Sequence, residues 1–219
     1  MEATFCFVDI AGFTALTETH GAAAAADLID RFTALVRDAL PDGSQVVDRA
    51  GDAVFVILPR PEPAIEFVSQ LFESAFDERD FPALRAGLHH GEALERAGAY
   101  FGPDVNLAAR VAAEAGGDQL LATRAVADAA KRRGIETTTL GVQTLRNVRT
   151  PVEVFALNLT HARAAAEIDP VCRMRVDPAH APGRLRVERR SYWFCSLDCA
   201  GLFAREPETS LDSMRESQR

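Results

Sequence analysis

A short apolar segment that leads into a glycine loop and then a helical pattern places the tightest constraint on how this chain folds. Residues 5–10 fit one buried strand, with Asp9 near its end and Gly12 in the loop that follows. Apolar residues then recur at helical spacing over residues 22–40 and stop at a Pro-Asp-Gly turn. Because the strand and the helix must each bury an apolar face, this start predicts a sheet covered by helices.

The same two patterns alternate through the first 160 residues. Later strand patterns occupy residues 46–47, 53–58, 84–88, 119–123, 136–140 and 152–157, and the first two flank a turn at Gly51. Helical patterns occupy residues 62–76, residues 104–114 with Asp104 as the cap, and a segment that ends at Arg133. The order β, α, β, β, α, β with an added α/β tail predicts an α+β sandwich of ferredoxin-like type.

Composition narrows the classes of function. The chain carries 32 acidic residues against 24 Lys and Arg, a formal charge of −8, which argues against a general nucleic-acid binder. No stretch approaches the roughly 18 apolar residues that a membrane-spanning helix needs. The start of the chain has no basic region of the signal-peptide kind. We therefore expect a cytoplasmic protein without a membrane span.

The last sixty residues differ from the rest of the chain in composition. Acidic residues dominate up to residue 160, whereas the remainder is nearly neutral and holds three of the four cysteines. A polar, alanine-rich stretch separates the two parts. The sequence therefore predicts a first domain over residues 1–158, a linker over 159–168 and a small second domain over 169–213.

Two carboxylates occupy unusual places in the first domain. Asp9 ends the first strand and Asp52 follows the glycine of the hairpin turn, and in a sheet of this order the two segments lie side by side. Two carboxylates beside a glycine loop suit Mg²⁺ and the phosphates that it carries. Ordinary turn chemistry is the alternative, because Asp is common after strands and before turns.

Four strings around these residues resemble motifs of one enzyme family. They are residues 7–14 (FVDIAGFT), 51–53 (GDA), 87–92 (GLHHGE) and 101–110 (FGPDVNLAAR). In this order they are similar to the motifs of the class III nucleotidyl cyclases, the adenylate and guanylate cyclases. The resemblance covers about residues 3–158.

The resemblance implies a role for each matching residue. Asp9 and Asp52 would hold two Mg²⁺ or Mn²⁺ ions, with the backbone carbonyl of Ile10 as a further ligand. The backbone amides of the next loop would bind the phosphates of a nucleoside triphosphate, namely Ala11, Gly12, Phe13 and Thr14.

The implied site is completed by Asn106, Arg110 and Arg146, which come later in the chain. Asn106 would orient the ribose and Arg110 would stabilise charge on the α-phosphoryl group, and their spacing of four places them on one helical face. Arg146 falls where relatives often carry a basic residue near the terminal phosphates. In the family the active site is shared across a head-to-tail homodimer, so the monomer is expected to be inactive.

The base-reading positions depart from the family pattern. Adenylate cyclases usually have a lysine where this chain has Asp48, and an Asp or Thr where it has Ala99. Lys131 is the only lysine and lies far from both. Asp48 could accept from guanine or from the adenine amine, so we expect ATP or GTP as substrate with relaxed selectivity. The competing hypothesis is a weak or inactive cyclase-like module with a regulatory or dimerisation role.

The tail resembles a YHS domain, a small module related to treble-clef-like metal sensors. Its three cysteines, Cys172, Cys195 and Cys199, have a spacing that suits Zn²⁺ or Cu⁺, with His180 as the nearest fourth ligand. A plain helical cysteine pair or a Cys195–Cys199 disulfide are the alternatives. The adjacent His89 and His90 point to opposite faces of a strand and are expected to be structural.

Overall fold

The computed structural model describes residues 1–159 and 166–216, so most of the predicted linker lies outside the described residues. The helices are α1 (Phe13–Ala39), α2 (Pro61–Asp77), α3 (Pro103–Ala113), α4 (Arg124–Arg132), α5 (Leu197–Arg205) and α6 (Pro207–Glu216). The first nine strands are β1 (Glu2–Ile10), β2 (Gln45–Ala50), β3 (Ala53–Leu58), β4 (Leu84–Glu92), β5 (Leu94–Arg96), β6 (Ala99–Phe101), β7 (Gln119–Thr123), β8 (Thr137–Gln143) and β9 (Val152–Leu157). The tail contains β10 (Glu167–Ile168), β11 (Arg175–Val176), β12 (Gly183–Val187) and β13 (Arg190–Phe194).

Seven of these strands form one mixed sheet in the order β2-β3-β1-β4-β7-β9-β8. All neighbours pair antiparallel except β4 and β7, which are parallel. In the register of β1, Asp9 lies opposite Ala53 on one side and opposite Arg85 on the other. The end of β1 therefore meets the β2–β3 turn and the start of β4.

Helices cover the two faces of the sheet unequally. The main core lies between the sheet and α1, α2 and α4, where Phe67, Leu71 and Leu58 are fully buried. On the opposite face α3 packs against β4 so closely that a Cβ at Gly87 would overlap the backbone of Ala112. This arrangement confirms the predicted α+β class.

The first helix, α1, begins earlier than the apolar pattern predicts. It starts at Phe13, and Gly12 before it has a left-handed backbone (φ 77°). Gly21 interrupts the helix with φ 81° and ψ 173°, a conformation open only to glycine at low cost. Residues 13–20, which the apolar pattern does not assign to a helix, are thus a separate first segment of α1.

The start of α3 also differs from the prediction. Gly102, not Asp104, precedes the helix, and Asp104 lies inside its first turn. Its Oδ2 atom accepts a hydrogen bond from the N–H of Glu92 at 2.7 Å, which ties α3 to the end of β4.

The tail is a module of two hairpins and two helices. Strands β10 and β11 pair, β12 and β13 pair, and α5 follows directly. Phe194 and Phe203 are fully buried with Cys172 and Cys199 at its small core. Within the described residues, no helix combines the length and apolar character needed to cross a bilayer.

Candidate active site

The structure brings the two predicted metal-binding aspartates together at the end of β1. The N–H of Ile10 donates to the backbone carbonyl of Asp52 at 3.2 Å. Burial raises the pKa of the Asp9 carboxyl, Arg85 opposes that shift, and repulsion from Asp52 adds to it. Two carboxylates that repel each other in a half-buried place favour a cation between them.

Arg85, which the sequence reasoning missed, is the direct partner of Asp9. Its Nε and Nη2 atoms donate to the two carboxylate oxygens of Asp9 at 2.5 and 2.9 Å. This pair raises the pKa of the Arg85 guanidinium and balances the charge of Asp9. The sequence holds one indication of this pair: Arg85 lies two residues before the 87–92 motif. The structure shows that this strand pairs with β1.

The loop after β1 presents backbone amides at the start of α1. The N–H groups of the first helical turn, including those of Phe13 and Thr14, have no partner within the helix. The N–H of Ala11 instead donates to the carbonyl of Ala83 at 2.9 Å, so the expectation that it binds phosphate is corrected. The amides that remain for an anion are those that follow Ala11.

An arginine of the tail lies against this loop. Arg173 is 7% exposed, and its Cβ and Cγ atoms pack so closely on Gly12 that a Cβ there would clash with them. Its Nη1 atom donates to the carbonyl of Pro170 at 2.8 Å. Arg173 has φ 66°, a left-handed backbone conformation that glycine adopts at lower cost than arginine. The tail module therefore directly contacts the loop in which phosphate binding is predicted.

The residues implied for ribose and transition-state contacts lie on the α3 side of the sheet. Asn106 is exposed and Arg110 half-buried on α3. The exposed Arg146 follows Leu145, which is buried in the same cluster as Val111 of α3. Within the described part of the chain, none of the three bonds to Asp9 or Asp52. The two groups of predicted site residues are therefore not in direct contact within one chain.

The two altered base-reading residues lie on neighbouring segments. Asp48 is exposed in β2 beside a register shift in the pairing with β3, and Ala99 begins β6. The hydroxyl of Tyr100 donates to Oε1 of Gln45 at 2.8 Å and joins β6 to β2. The two positions therefore belong to one region of the surface.

Both strand histidines have structural partners, as the sequence predicts. His89 Nδ1 hydrogen-bonds with Thr123 Oγ1 at 2.7 Å, and its Nε2 lies 3.5 Å from Asp104 Oδ1. His90 Nδ1 hydrogen-bonds with Thr4 Oγ1 at 2.9 Å.

His89 gives a test of this arrangement through pH. Burial lowers the pKa of His89 below its ordinary value of 6.5, although Asp104 opposes the shift. The neutral ring of His89 therefore makes its full contribution to the free energy of unfolding above pH 6.5, the ordinary pKa. That contribution decreases as the pH falls below 6.5 and is lost once the pH has passed the lowered pKa of the folded protein. Between about pH 7.5 and about pH 5.5, urea unfolding should show a larger loss of unfolding free energy for the wild type than for His89→Asn. His180→Asn, at an exposed histidine, should behave as the wild type does.

The three tail cysteines form a cluster, and its fourth member is not the predicted one. The Sγ atom of Cys195 lies 3.4 Å from that of Cys172 and 3.6 Å from that of Cys199. His20 Nε2 approaches the sulfurs of Cys195 and Cys199 at 3.6 and 3.8 Å. His180 instead bonds its ring to Asp177 in an exposed turn, so its assignment is wrong.

The structure shows neither of the two alternative arrangements of the cysteines. All four cysteines are unbridged, and the Sγ atoms of Cys195 and Cys199 lie 3.6 Å apart. The two residues are not a helical pair either, because Cys195 precedes Ser196, which caps α5 by accepting from the N–H of Cys199. Contact with the other two sulfurs lowers the pKa of the Cys199 thiol.

Comparison with known proteins identifies the family of the first part of the chain. The model of the adenylate and guanylate cyclase catalytic domain matches residues 1–159. The pH-sensitive adenylate cyclase MT1302 of Mycobacterium tuberculosis is 34% identical over 158 residues, which is 70% of this chain and 40% of that protein. An adenylate cyclase of Streptomyces griseus is 32% identical over 129 residues, 58% of this chain and 32% of that protein. The chain thus matches less than half the length of these relatives.

Solved structures agree with the fold. An adenylate cyclase of Trypanosoma brucei in its monomeric state has a TM-score of 0.67 at 22% identity, covering 80% of this chain and 93% of that one. The adenylyl cyclase CyaB of P. aeruginosa has a TM-score of 0.61 at 19% identity, covering 75% and 97%. With the family match over residues 1–159, the chain belongs to the family of adenylate and guanylate cyclase catalytic domains.

Proposed function

We propose that this chain is a purine nucleotide cyclase that converts ATP, or GTP, to the 3',5'-cyclic monophosphate and pyrophosphate in cyclic-nucleotide signalling. The observation that carries the proposal is the adjacency of Asp9 and Asp52 at the end of β1, directly before the amides of α1. Support also comes from relatives named adenylate cyclases.

The donor set suits hard divalent ions. Asp9 and Asp52 offer carboxylate oxygens, and Ile10, the residue after Asp9, offers its backbone carbonyl oxygen. Two Mg²⁺ or Mn²⁺ ions held there would lower the pKa of the ribose 3'-hydroxyl and offset the charge of the triphosphate.

The chain's own residues then have distinct tasks. Arg85 pairs with both carboxylate oxygens of Asp9 and orients that side chain at the end of β1. The first-turn amides of α1 donate to phosphate oxygens. The ribose 3'-oxygen attacks the α-phosphorus in line, the bond to the β-phosphate oxygen breaks, pyrophosphate leaves, and the hydroxyl proton passes to solvent. Arg110 stabilises the charge that develops on the α-phosphoryl oxygens, and Asn106 orients the ribose.

We further propose a homodimer in which each site takes its aspartates from one protomer and Asn106 and Arg110 from the other. On the sheet face that carries α3, the half-buried Phe7 stacks on the buried Phe55 at 4.4 Å between ring centres. On the nearby β5–β6 hairpin, Leu94 is 66% and Phe101 54% exposed. Such side chains suit a protein interface better than contact with water.

Turnover with Mn²⁺ and either ATP or GTP tests the activity and names the base. Purified protein should form cyclic product, separated chromatographically from linear nucleotides, and Asp52→Ala should lose it. Asp42→Ala is the matched control, because Asp42 is an exposed turn residue outside the site.

A cyclase-like regulatory or dimerisation module is the second candidate. The observations that favour it are Asp48 and Ala99 at the base positions and Arg173 packed on Gly12. Absence of cyclic product from either nucleotide, at concentrations where the dimer forms, would support this function and overturn the first.

A further inference from the structure

The cysteine cluster of the tail is completed by a histidine from the cyclase domain. Cys172, Cys195 and Cys199 belong to the module, whereas His20 belongs to α1, more than 150 residues earlier in the chain. Their four ligand atoms all lie within 4.8 Å of one another. We propose that these residues form a tetrahedral Zn²⁺ site that fastens the module to the cyclase domain.

The distances between the ligand atoms match such a site. A tetrahedron with Zn–S bonds of about 2.3 Å has edges of about 3.8 Å. The sulfur–sulfur separations of 3.4 and 3.6 Å and the nitrogen–sulfur separations of 3.6 and 3.8 Å are close to that value. Disulfide bonding would require sulfurs about 2.05 Å apart. The atoms are therefore spaced for an ion to lie between them.

The backbone around the cysteines is held in place by a buried carboxylate. Asp169 is fully buried, and its oxygens accept from the N–H groups of Val171 at 2.8 Å and Cys195 at 2.9 Å. These bonds fix the two cysteine-bearing loops to each other before any ion binds. A site whose ligands are held in this way loses little conformational freedom on binding.

The chemistry of the donors selects the ion. Three thiolates and one imidazole are soft or borderline ligands, so they suit Zn²⁺ and not the Mg²⁺ expected at the oxygen-rich catalytic site. Four ligands with no open position are typical of structural zinc.

Other contacts of the module support a docked arrangement around the ion. Nη1 of Arg175 donates to the carbonyl of Ala75 at 3.0 Å, and its Nη2 pairs with Asp118. Met174 bridges to Pro82. His20 and Gly12 are eight residues apart along the first segment of α1, a rise of about 12 Å. An ion bound by His20 would therefore hold one end of this segment. At the other end, the ion would hold Cys172, and the neighbouring Arg173 packs on Gly12.

Metal binding by the full chain tests the site. Zinc content after equilibrium dialysis should be one ion per chain for the wild type and for His180→Ala. Cys199→Ser should lose the ion, and His20→Ala should bind Zn²⁺ at least tenfold more weakly. Co²⁺ should give the absorption of a tetrahedral thiolate site in the wild type and an altered spectrum in His20→Ala. Circular dichroism of each metal-free variant separates ligand loss from unfolding.

Hydrogen exchange tests whether the ion joins the two parts. Removing Zn²⁺ with a chelator should raise exchange in residues 13–20 of the wild type and leave His20→Ala unchanged. Equal zinc affinity and the same Co²⁺ spectrum for His20→Ala and the wild type would overturn the proposal, as would retention of Cu⁺ but not Zn²⁺. None of these measurements uses nucleotide, so their outcome is independent of the proposed cyclase activity.

Discussion

Mixing an Asp52→Ala chain with an Arg110→Ala chain is expected to restore cyclic nucleotide production that neither variant supports alone. Each variant should lose roughly 100-fold or more of its turnover, because one removes a proposed metal ligand and the other a charge that we propose stabilises the transition state. In the proposed dimer, the mixed pair has one site with both defects and one intact site. Random pairing at equal concentrations makes half of the dimers mixed, so about a quarter of wild-type activity should return.

The controls for this experiment come from the same two half-sites. Mixing Asp9→Ala with Asp52→Ala should restore nothing, since both defects fall on the same half-site. Mixing Asp52→Ala with the control Asp42→Ala should give about half of the wild-type activity, because half of the sites take both aspartates from an Asp42→Ala chain. Wild-type turnover by Arg110→Ala alone, or no recovery under conditions where subunits exchange, would contradict the shared site.

The strands and helices of the first domain follow from local sequence patterns. Buried strands such as β1 and β3 carry continuous apolar runs, and α2 and α3 have proline at their first positions. The first segment of α1 was missed because Thr14, Thr17 and Thr19 interrupt its apolar spacing. Its main buried anchor is Leu16, which packs in the main core, so tertiary contact overrides the local signal.

The site was predictable where its residues lie close in sequence and less so where only the fold joins them. Asp9 stands out at the end of its strand, but the Asp9–Arg85 pair depends on the register of β1 with β4. His20 could not be chosen over His180 because no local pattern links α1 to the tail. Proximity in sequence favoured His180, whereas the docking of the module brings His20 to the sulfurs.

Gly12→Ala is expected to destabilise the protein and to reduce its turnover strongly. Gly12 has φ 77°, and the left-handed conformation costs a residue with a Cβ about 1–2 kcal/mol. The added methyl group would also clash with Arg173, so either the loop or the tail module must move. Urea unfolding should show a loss of unfolding free energy above about 2 kcal/mol, and turnover should fall because the loop amides lose their alignment.

The double variant Gly12→Ala/Arg173→Gly separates the two causes. Glycine at position 173 removes the side chain that clashes and also fits the local φ of 66°. The effect of Gly12→Ala, measured against Arg173→Gly alone, should then shrink to about 1–2 kcal/mol, the backbone cost by itself. The difference between the two backgrounds is the coupling between the tail and the Gly12 loop. An equal effect of Gly12→Ala in both backgrounds would show that Arg173 does not press on the loop in solution. A smaller effect with Arg173→Gly would make the tail a physical constraint on the start of α1, where we propose that phosphate binds.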